Sequence, residues 1–260
     1  MALFTYDLHV HSCLSPCGDD DMTPCNIAGM AFLAGVKIVA LTDHNSCKNC
    51  EAFFMACEEY GVTPVAGCEL TTSEEIHMVC LFEGLKQALA FDEALQPYRL
   101  PIKNRVEIFG SQPIMGKDDE IVGEDPWFLP AATTLSLVEA ASMVRSMGGL
   151  AYPAHIDRES NGLLAILGTF PDEPVFDLCE VRDKENAQKL SGGRKVVVSS
   201  DAHRLTDFAV TLNHIELDCD EEASPDEVRR ALFIKLKDRE SELPEPDGTK
   251  EGGADEGIIA

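Results

Sequence analysis

From Phe4 to Phe82 the chain alternates short β-branched runs with helical patterns: FTYDLHV, PCNIAGMAFLAGV, KIVALTD, CKNCEAFFMACEEYG, VTPVAGCEL and IHMVCLF. Strands separated by helices of about a dozen residues imply right-handed βαβ crossovers and a parallel sheet. The rhythm resumes with TLSLVEAASMVRSMGG before LAYPAH and runs on through VFDLCEV, VVVSSDAH and AVTLNHIEL. Ser224, Pro225 and Asp226 then open a last helix around EVRRALFIKLKD. This order of strand-like runs predicts an α/β fold, a (β/α) barrel or a near relative.

Residues 84–134 break the pattern. They are rich in Pro, Gly and charge, which predicts an inserted arm or lid. Long structureless loops are uncommon inside compact domains, so this arm is expected to hold helices and a small hairpin. The barrel domain is expected over 1–238. The acidic, Gly/Pro-rich stretch 239–260 has few large hydrophobes and is expected to be a disordered tail.

The histidines fall at special places in this frame. His9 and His11 lie two apart in DLHVHS, so on a strand they leave the same face while Leu8 and Val10 leave the other. Alone, such a pair is a chelate or two imidazoles on an exposed edge. Elsewhere KIVAL runs into Asp43 and His44, VTPVAG runs into Glu69, EEIHMVCLF carries His77, LAYPAHID carries His155, and VVVSSDAH carries Asp201 and His203. The seventh histidine, His214 in TLNHIEL, reads as an ordinary strand residue. The C-terminal strand ends of a parallel barrel converge on one mouth. Imidazoles and carboxylates gathered there would repel or lie unsatisfied unless a cation bound them. Mixed His and carboxylate donors suit Zn²⁺, Mn²⁺ or Fe²⁺ better than Mg²⁺ or Ca²⁺, which prefer oxygen alone.

The net charge of −25 argues against coating of phosphate backbones and so against a nucleic acid partner. It leaves room for a phosphorylated substrate, because bound cations invert the local field. The N-terminus lacks a signal peptide pattern and no run reaches transmembrane length, so a soluble, cytoplasmic protein without a membrane partner is expected. The ten cysteines are then expected as reduced thiols. Cys47 and Cys50 form a CxxC, with Cys13, Cys17 and Cys25 near the first histidines, so a separate cysteine metal site stands beside the plainer reading of small buried hydrophobes. Oligomeric state is not legible.

Taken in order, DLHVHS, LTDHN, GCEL with a following IH, AHI and SDAH resemble the polymerase and histidinol phosphatase (PHP) family, over most of residues 5–210. The resemblance implies a distorted seven-stranded (β/α) barrel that binds two or three divalent ions (Zn, Mn or Fe) and hydrolyses phosphoesters. It implies that His9, His11, Glu69 and Asp201 hold one ion, that Glu69 bridges to a second held by His77 and His155, and that His44 and His203 hold a third. The family's loop aspartate corresponds to Asp19, with Asp20 and Asp21 as neighbouring alternatives in the longer SCLSPCGDDDMTP. Asp43, assigned to the catalytic machinery, either orients His44 and balances charge or ligates. Arg158 is expected to assist catalysis by contacting phosphate, and Arg204 to bind substrate as well, since an Arg fork suits phosphate oxygens. The function implied is hydrolysis of a small phosphorylated molecule, such as a nucleotide, a sugar phosphate or histidinol phosphate, by metal-activated water. An exonuclease acting on short single strands and a non-catalytic metal-binding domain are the competing expectations.

Overall fold

The computed structural model describes residues 1–209 and 213–238; the acidic stretch 239–260 expected as a tail lies outside the described residues. The elements run in the order β1 (Ala2–Val10), α1 (Pro24–Ala34), β2 (Ile38–Leu41), α2 (Cys50–Tyr60), β3 (Thr63–Thr71), β4 (His77–Phe82), α3 (Leu85–Leu95), α4 (Val106–Phe109), β5 (Pro113–Met115) and β6 (Ile121–Glu124). Then come α5 (Leu137–Ser146), β7 (Leu150–Pro153), α6 (Leu163–Leu167), β8 (Leu178–Glu180), α7 (Ala187–Ser191), β9 (Lys195–Val197), β10 (Asn213–Leu217) and α8 (Pro225–Lys237). Local chemistry sets the helix ends. Thr23 caps α1 ahead of Pro24, and Ser136 with Glu139 and Ser224 with Glu227 form capping boxes on α5 and α8.

The main sheet has the order β10-β1-β2-β3-β4-β7. A parallel pair, β8 and β9, continues it: Ile156 N donates to Glu180 O at 2.9 Å beyond β7. The segment after β9 returns to β1, where His11 N donates to Ala202 O at 3.0 Å and Val10 pairs with Ala202. The strands thus curl into a distorted, TIM-like (β/α)₇ barrel, with β10 lying antiparallel on the lower part of β1. One expectation is corrected. The sheet is mixed, because β4 pairs antiparallel with both β3 and β7. Only residues 72–76 separate β3 from β4, too short for a crossover helix, so the chain must turn straight back.

Two apolar layers flank the sheet. On one face Ile27, Phe53, Phe91 and Val144, from α1, α2, α3 and α5, pack against Val39, Leu41, Cys68 and Cys80. On the other, Val228, Leu232 and Phe233 of α8 pack with Tyr6, Leu8, Val65 and Val79. Leu8 and Val10, expected on one face, fall in different layers. The pairing of β1 with β2 shifts register between Asp7 and Val10, and such an irregularity re-aims the side chains beyond it.

The segment 84–134 contains helices and the β5–β6 hairpin, and its first helix, α3, is seated in the core through Ala88, Phe91 and Leu95. The remainder folds over the loop after β2. Asn45 Nδ2 donates to Leu129 O at 2.8 Å, and Met115 N donates to Asn49 Oδ1 at 2.9 Å. Among the described residues no helix is long and apolar enough to cross a membrane.

Candidate metal centre

Strand polarity decides which residues meet. Glu69 near the end of β3, His77 at the start of the reversed β4, His155 just past β7 and Asp201 after β9 all reach the mouth where β1 delivers His9 and His11. Glu69, 1% exposed, is the hub. Its Oε1 lies 2.7 Å from His77 Nδ1, 2.9 Å from His155 Nε2 and 3.4 Å from His9 Nε2. Its Oε2 lies 3.1 Å from His44 Nδ1 and 3.5 Å from His11 Nε2. Asp201 Oδ1 lies 3.5 Å from His9 Nε2, 3.4 Å from His11 Nε2 and 3.7 Å from His203 Nδ1. His155 and Asp201 both sit at positive φ, 24° and 53°, which non-glycine residues adopt at a cost and which clusters at functional sites.

Protons are distributed unevenly over this cluster. Burial drives the His9 pKa down, but the carboxylates of Glu180, Glu69 and Asp201 outweigh it and hold it well above its ordinary value. His44 behaves likewise: against burial, Cys17 and Glu69 raise it to about 10. Burial and the neighbouring charge of His203 push His11 well below its ordinary value, and burial also lowers His77. Glu69 stays ionised despite burial because His77 and His9 face it, and Asp201 is held below the usual carboxylate range by His9 and His11.

The donor set fits divalent ions. His9 Nε2 and His11 Nε2 point at each other across 3.2 Å, an arrangement that needs a proton or a cation between lone pairs. His44 Nδ1, His155 Nδ1 and Asp201 Oδ1 are buried without an aligned hydrogen-bond partner. Buried polar atoms are nearly always paired, so orphans at one spot call for a ligand. Three donor sets converge closely enough to hold an ion: His9, His11 and Asp201; His44, Glu69 and His77; His11, His44 and His203. They overlap the expected grouping but place His44 with Glu69 and His77 as well as with His203.

Other expected residues lie elsewhere. Asp19 does not join the cluster: its side chain is 54% exposed and faces Arg204 Nε at 3.7 Å. The loop after β1 folds on itself through Cys13 N to Met22 O at 2.8 Å and Asp19 N to His203 O at 2.9 Å, which turns the acidic run outward; Asp20 and Asp21 are exposed too. Asp43 touches no reacting position. It is buried and accepts hydrogen bonds from Ser12 N, Ser12 Oγ and Ser15 Oγ at 2.7, 2.6 and 2.7 Å. Ser15 Oγ in turn lies 3.1 Å from His11 Nδ1, so Asp43 orients His11 through Ser15, where His44 was the expected beneficiary. Arg158 borders the centre, with Nη1 3.3 Å from Asp201 Oδ2, whereas Arg204 pairs with Asp19 and is 68% exposed. His214 is an exposed residue of β10.

Two residues escaped sequence reasoning. Glu180, at the end of β8, is buried with Oε1 3.0 Å from His9 Nδ1, and that oxygen also accepts from His155 N at 3.1 Å. A carboxylate behind a histidine fixes its tautomer and ring orientation. The signal was there, since Glu180 ends a strand-like run just as Glu69 does. The second is Cys17, raised from sequence only for a separate cysteine site: it lines the same cavity as His44 and His203, and these imidazoles outweigh desolvation and lower its pKa to about 6.

A cavity of about 450 Å³ opens onto this cluster. Its floor includes Glu69, His77 and Arg158, and its wall includes Phe109, Phe128 and Pro130 from the arm. A larger groove between β10 and α8 lies near Met1, at the opposite end of β1.

Residues 7–115 match the family model of the PHP domain. That match spans less than half of the chain and includes His9, His11, His44, Glu69 and His77. Two curated relatives match part of the chain. A 5'-3' exoribonuclease of Haemophilus influenzae is 34% identical over 79 residues, 29% of this chain and 28% of that protein. An uncharacterized protein of Methanocaldococcus jannaschii is 32% identical over 99 residues, 35% of this chain and 58% of that one. The chain therefore matches less than two thirds of either relative. In fold, the chain is similar to the lesion-specific endonuclease Q of Pyrococcus furiosus, with a TM-score of 0.62 at 21% identity, covering 88% of this chain and 56% of that one. It is also similar to a protein of Bifidobacterium adolescentis described provisionally as a metal-dependent phosphoesterase, with a TM-score of 0.56 at 19% identity, covering 88% and 95%.

Proposed function

We propose that this protein is a metal-dependent phosphoesterase acting on a small phosphorylated substrate, with a nucleotide favoured. The observation that carries the reading is the Glu69 carboxylate ringed by five imidazoles, with orphaned donors beside it. His9, His11, Asp201, Glu69, His77, His155, His44 and His203 would hold two or three divalent ions of the Zn, Mn or Fe type. Such ions supply an acidified attacking water and neutralise phosphoryl oxygens. Arg158 lines the cavity and can turn from Asp201 to present its fork to phosphate. Asp43, through Ser15, and Glu180 fix the rings of His11 and His9, so the donors need not reorganise when charge develops.

The nucleotide preference comes from the wall. Phe109 and Phe128 pack with ring centroids 4.4 Å apart, and Phe109 is 37% exposed toward the cavity side of the arm. A flat exposed ring offers a stacking face to a nucleobase. A second reading, a nuclease acting on short single strands, is favoured by the exoribonuclease relative, and endonuclease Q is a structure solved with a DNA duplex. Net charge alone does not decide between them, because endonuclease Q shows this fold on nucleic acid. Protein loaded with Mn²⁺ should be offered nucleoside monophosphates, an aryl phosphate and 5'-phosphorylated oligoribonucleotides. Phosphate release abolished by His9→Ala is the expected result. Nucleotides released from the oligomers would move the assignment to the nuclease, and metal-loaded protein inert to all three classes would overturn both.

A further inference from the structure

Every residue from Asn45 to Asn49, directly after His44, bonds to the segment 84–134. Asn45 Nδ2 donates to Leu129 O at 2.8 Å and to Ala131 O at 2.9 Å. Ser46 Oγ and Cys47 N donate to Asp92 Oδ1 at 3.0 and 2.8 Å, and Lys48 Nζ pairs with Asp125. Asn49 Nδ2 donates to Pro113 O at 3.3 Å, and its Oδ1 accepts from Met115 N. A swinging lid would have to break these bonds together and leave buried polar atoms unpaired. Asn45 differs from the others in also gripping the metal centre's own strand: its Oδ1 accepts from Thr71 N at 2.9 Å, and its N donates to Glu69 O at 2.8 Å. It is 1% exposed and sits at φ 48°, a left-handed conformation that asparagine tolerates better than most residues. One side chain thus ties the end of β3, two residues beyond Glu69, to the carbonyls on either side of Pro130.

We infer that Asn45 is a positioning residue for substrate selection: it holds the Phe128–Pro130 wall at a fixed distance from Glu69, so that the arm is a rigid gauge for the group carried on the phosphate and not a closing lid. The inference rests on the phosphoesterase reading above. Phe128 and Pro130 line the same cavity as Glu69 and His77, so a shift of the wall alters the room left for the non-phosphate part of a substrate. Phosphate esters of flat, apolar groups gain from a wall set in advance, because no ordering of the arm is then charged against binding. A small ester with no ring gains little. Asn45 touches neither ion nor substrate and acts only through the backbone it holds.

Asn45→Asp provides the test, because it keeps the oxygen that accepts from Thr71 N and the tolerance for left-handed backbone, but sets an oxygen against the carbonyls of Leu129 and Ala131 in place of their donor. Asn45→Gly also accepts this backbone and removes the tie without adding charge, so it serves if the buried carboxylate prevents folding. In the full chain, amide hydrogen exchange read by mass spectrometry over residues 126–132 should be slow and should quicken about tenfold in either variant. Protein loaded with Mn²⁺ is then offered adenosine monophosphate and glycerol phosphate. The preference for the nucleotide, as a ratio of kcat/KM values, should fall about tenfold, read mainly in KM for the nucleotide, with bound Mn²⁺ unchanged by elemental analysis. Fast exchange in the unmutated protein, or exchange unaffected by the variants, would overturn the fixed wall. A loosened wall with an unchanged preference would overturn its part in selection. Equal losses on both esters, or loss of Mn²⁺, would place the effect at the metal centre and overturn the assignment too. Unmutated protein that hydrolyses neither ester would overturn the phosphoesterase reading and the selection with it, while hydrogen exchange still decides whether Asn45 holds the wall.

Discussion

Cys68 and Glu69 are neighbours on β3, both almost wholly buried, and they face opposite layers of the protein. Cys68 belongs to the buried apolar layer that also holds Cys47, Cys50 and Cys80, its partner across the strand pair. Cys50 and Cys80 reach backbone carbonyls of Gly67 and Met78 at 3.6 and 3.5 Å. Glu69 belongs to a ring of imidazoles that leaves three polar atoms without aligned partners. Both clusters are rich in groups that bind metals. Among the described residues, the donor sets that converge on an ion are made of histidine and carboxylate. The difference teaches that burial of reactive side chains does not mark a site. A thiol cluster satisfied by its own contacts behaves as core, whereas charge gathered around unsatisfied atoms requires a guest.

The sharpest way to break this comparison is Glu69→Gln. It removes the negative hub, and hydrolysis should fall roughly 10³-fold, about 4 kcal/mol of barrier, with loss of bound metal measured by elemental analysis. Retained metal with full activity would show that the ring is an inert polar core after all.

Acidity gives the next effect. His9 and His44 are held above their ordinary pKa, so in metal-free protein both carry protons near neutrality. That protonation stabilises the metal-free fold fully below the unfolded histidine value, and the contribution fades as pH rises through the folded values, about 10 for His44. Metal binding must expel these protons, so affinity should rise with pH by up to about tenfold per unit for each proton displaced. Calorimetric titrations in buffers of different ionisation enthalpy count the protons, and a flat profile would refute the assignment.

Glu180→Gln sharpens the polar side of the comparison, since it keeps the shape behind His9 but weakens its hold. Metal affinity should fall about 10- to 100-fold, with little change in thermal stability of the metal-free protein. Cys68→Ala probes the opposite layer. It should cost on the order of 1 kcal/mol in denaturant unfolding and leave metal content unchanged, although its backbone adjoins Glu69. A drop in metal content there would mean that the two clusters are coupled.

How much of this was legible depended on what each residue relied upon. His9, His11, His44, Glu69, His77, His155, Asp201 and His203 were readable because strand ends converge whatever the details of the sheet. The reversal of β4 was hinted at by the five residues between Thr71 and His77, which leave no room for a helix. Asp19 was misplaced because it lies in a loop whose path is set by hydrogen bonds among Ser12, Ser15 and Gly18, and no periodicity reports these. The nearness of Cys17 to His44 and His203 was hidden for the same reason. Asp43 acts one hydroxyl away from the ring it orients, a link that needs coordinates to be seen.

The left-handed backbone at His155 and Asp201 has a mechanical meaning. Each such residue costs on the order of 1–3 kcal/mol to hold, so the barrel wall keeps two of its donors cocked. Loosening that wall by heat or denaturant should let those two residues relax first, and the centre should come apart before the rest of the barrel melts.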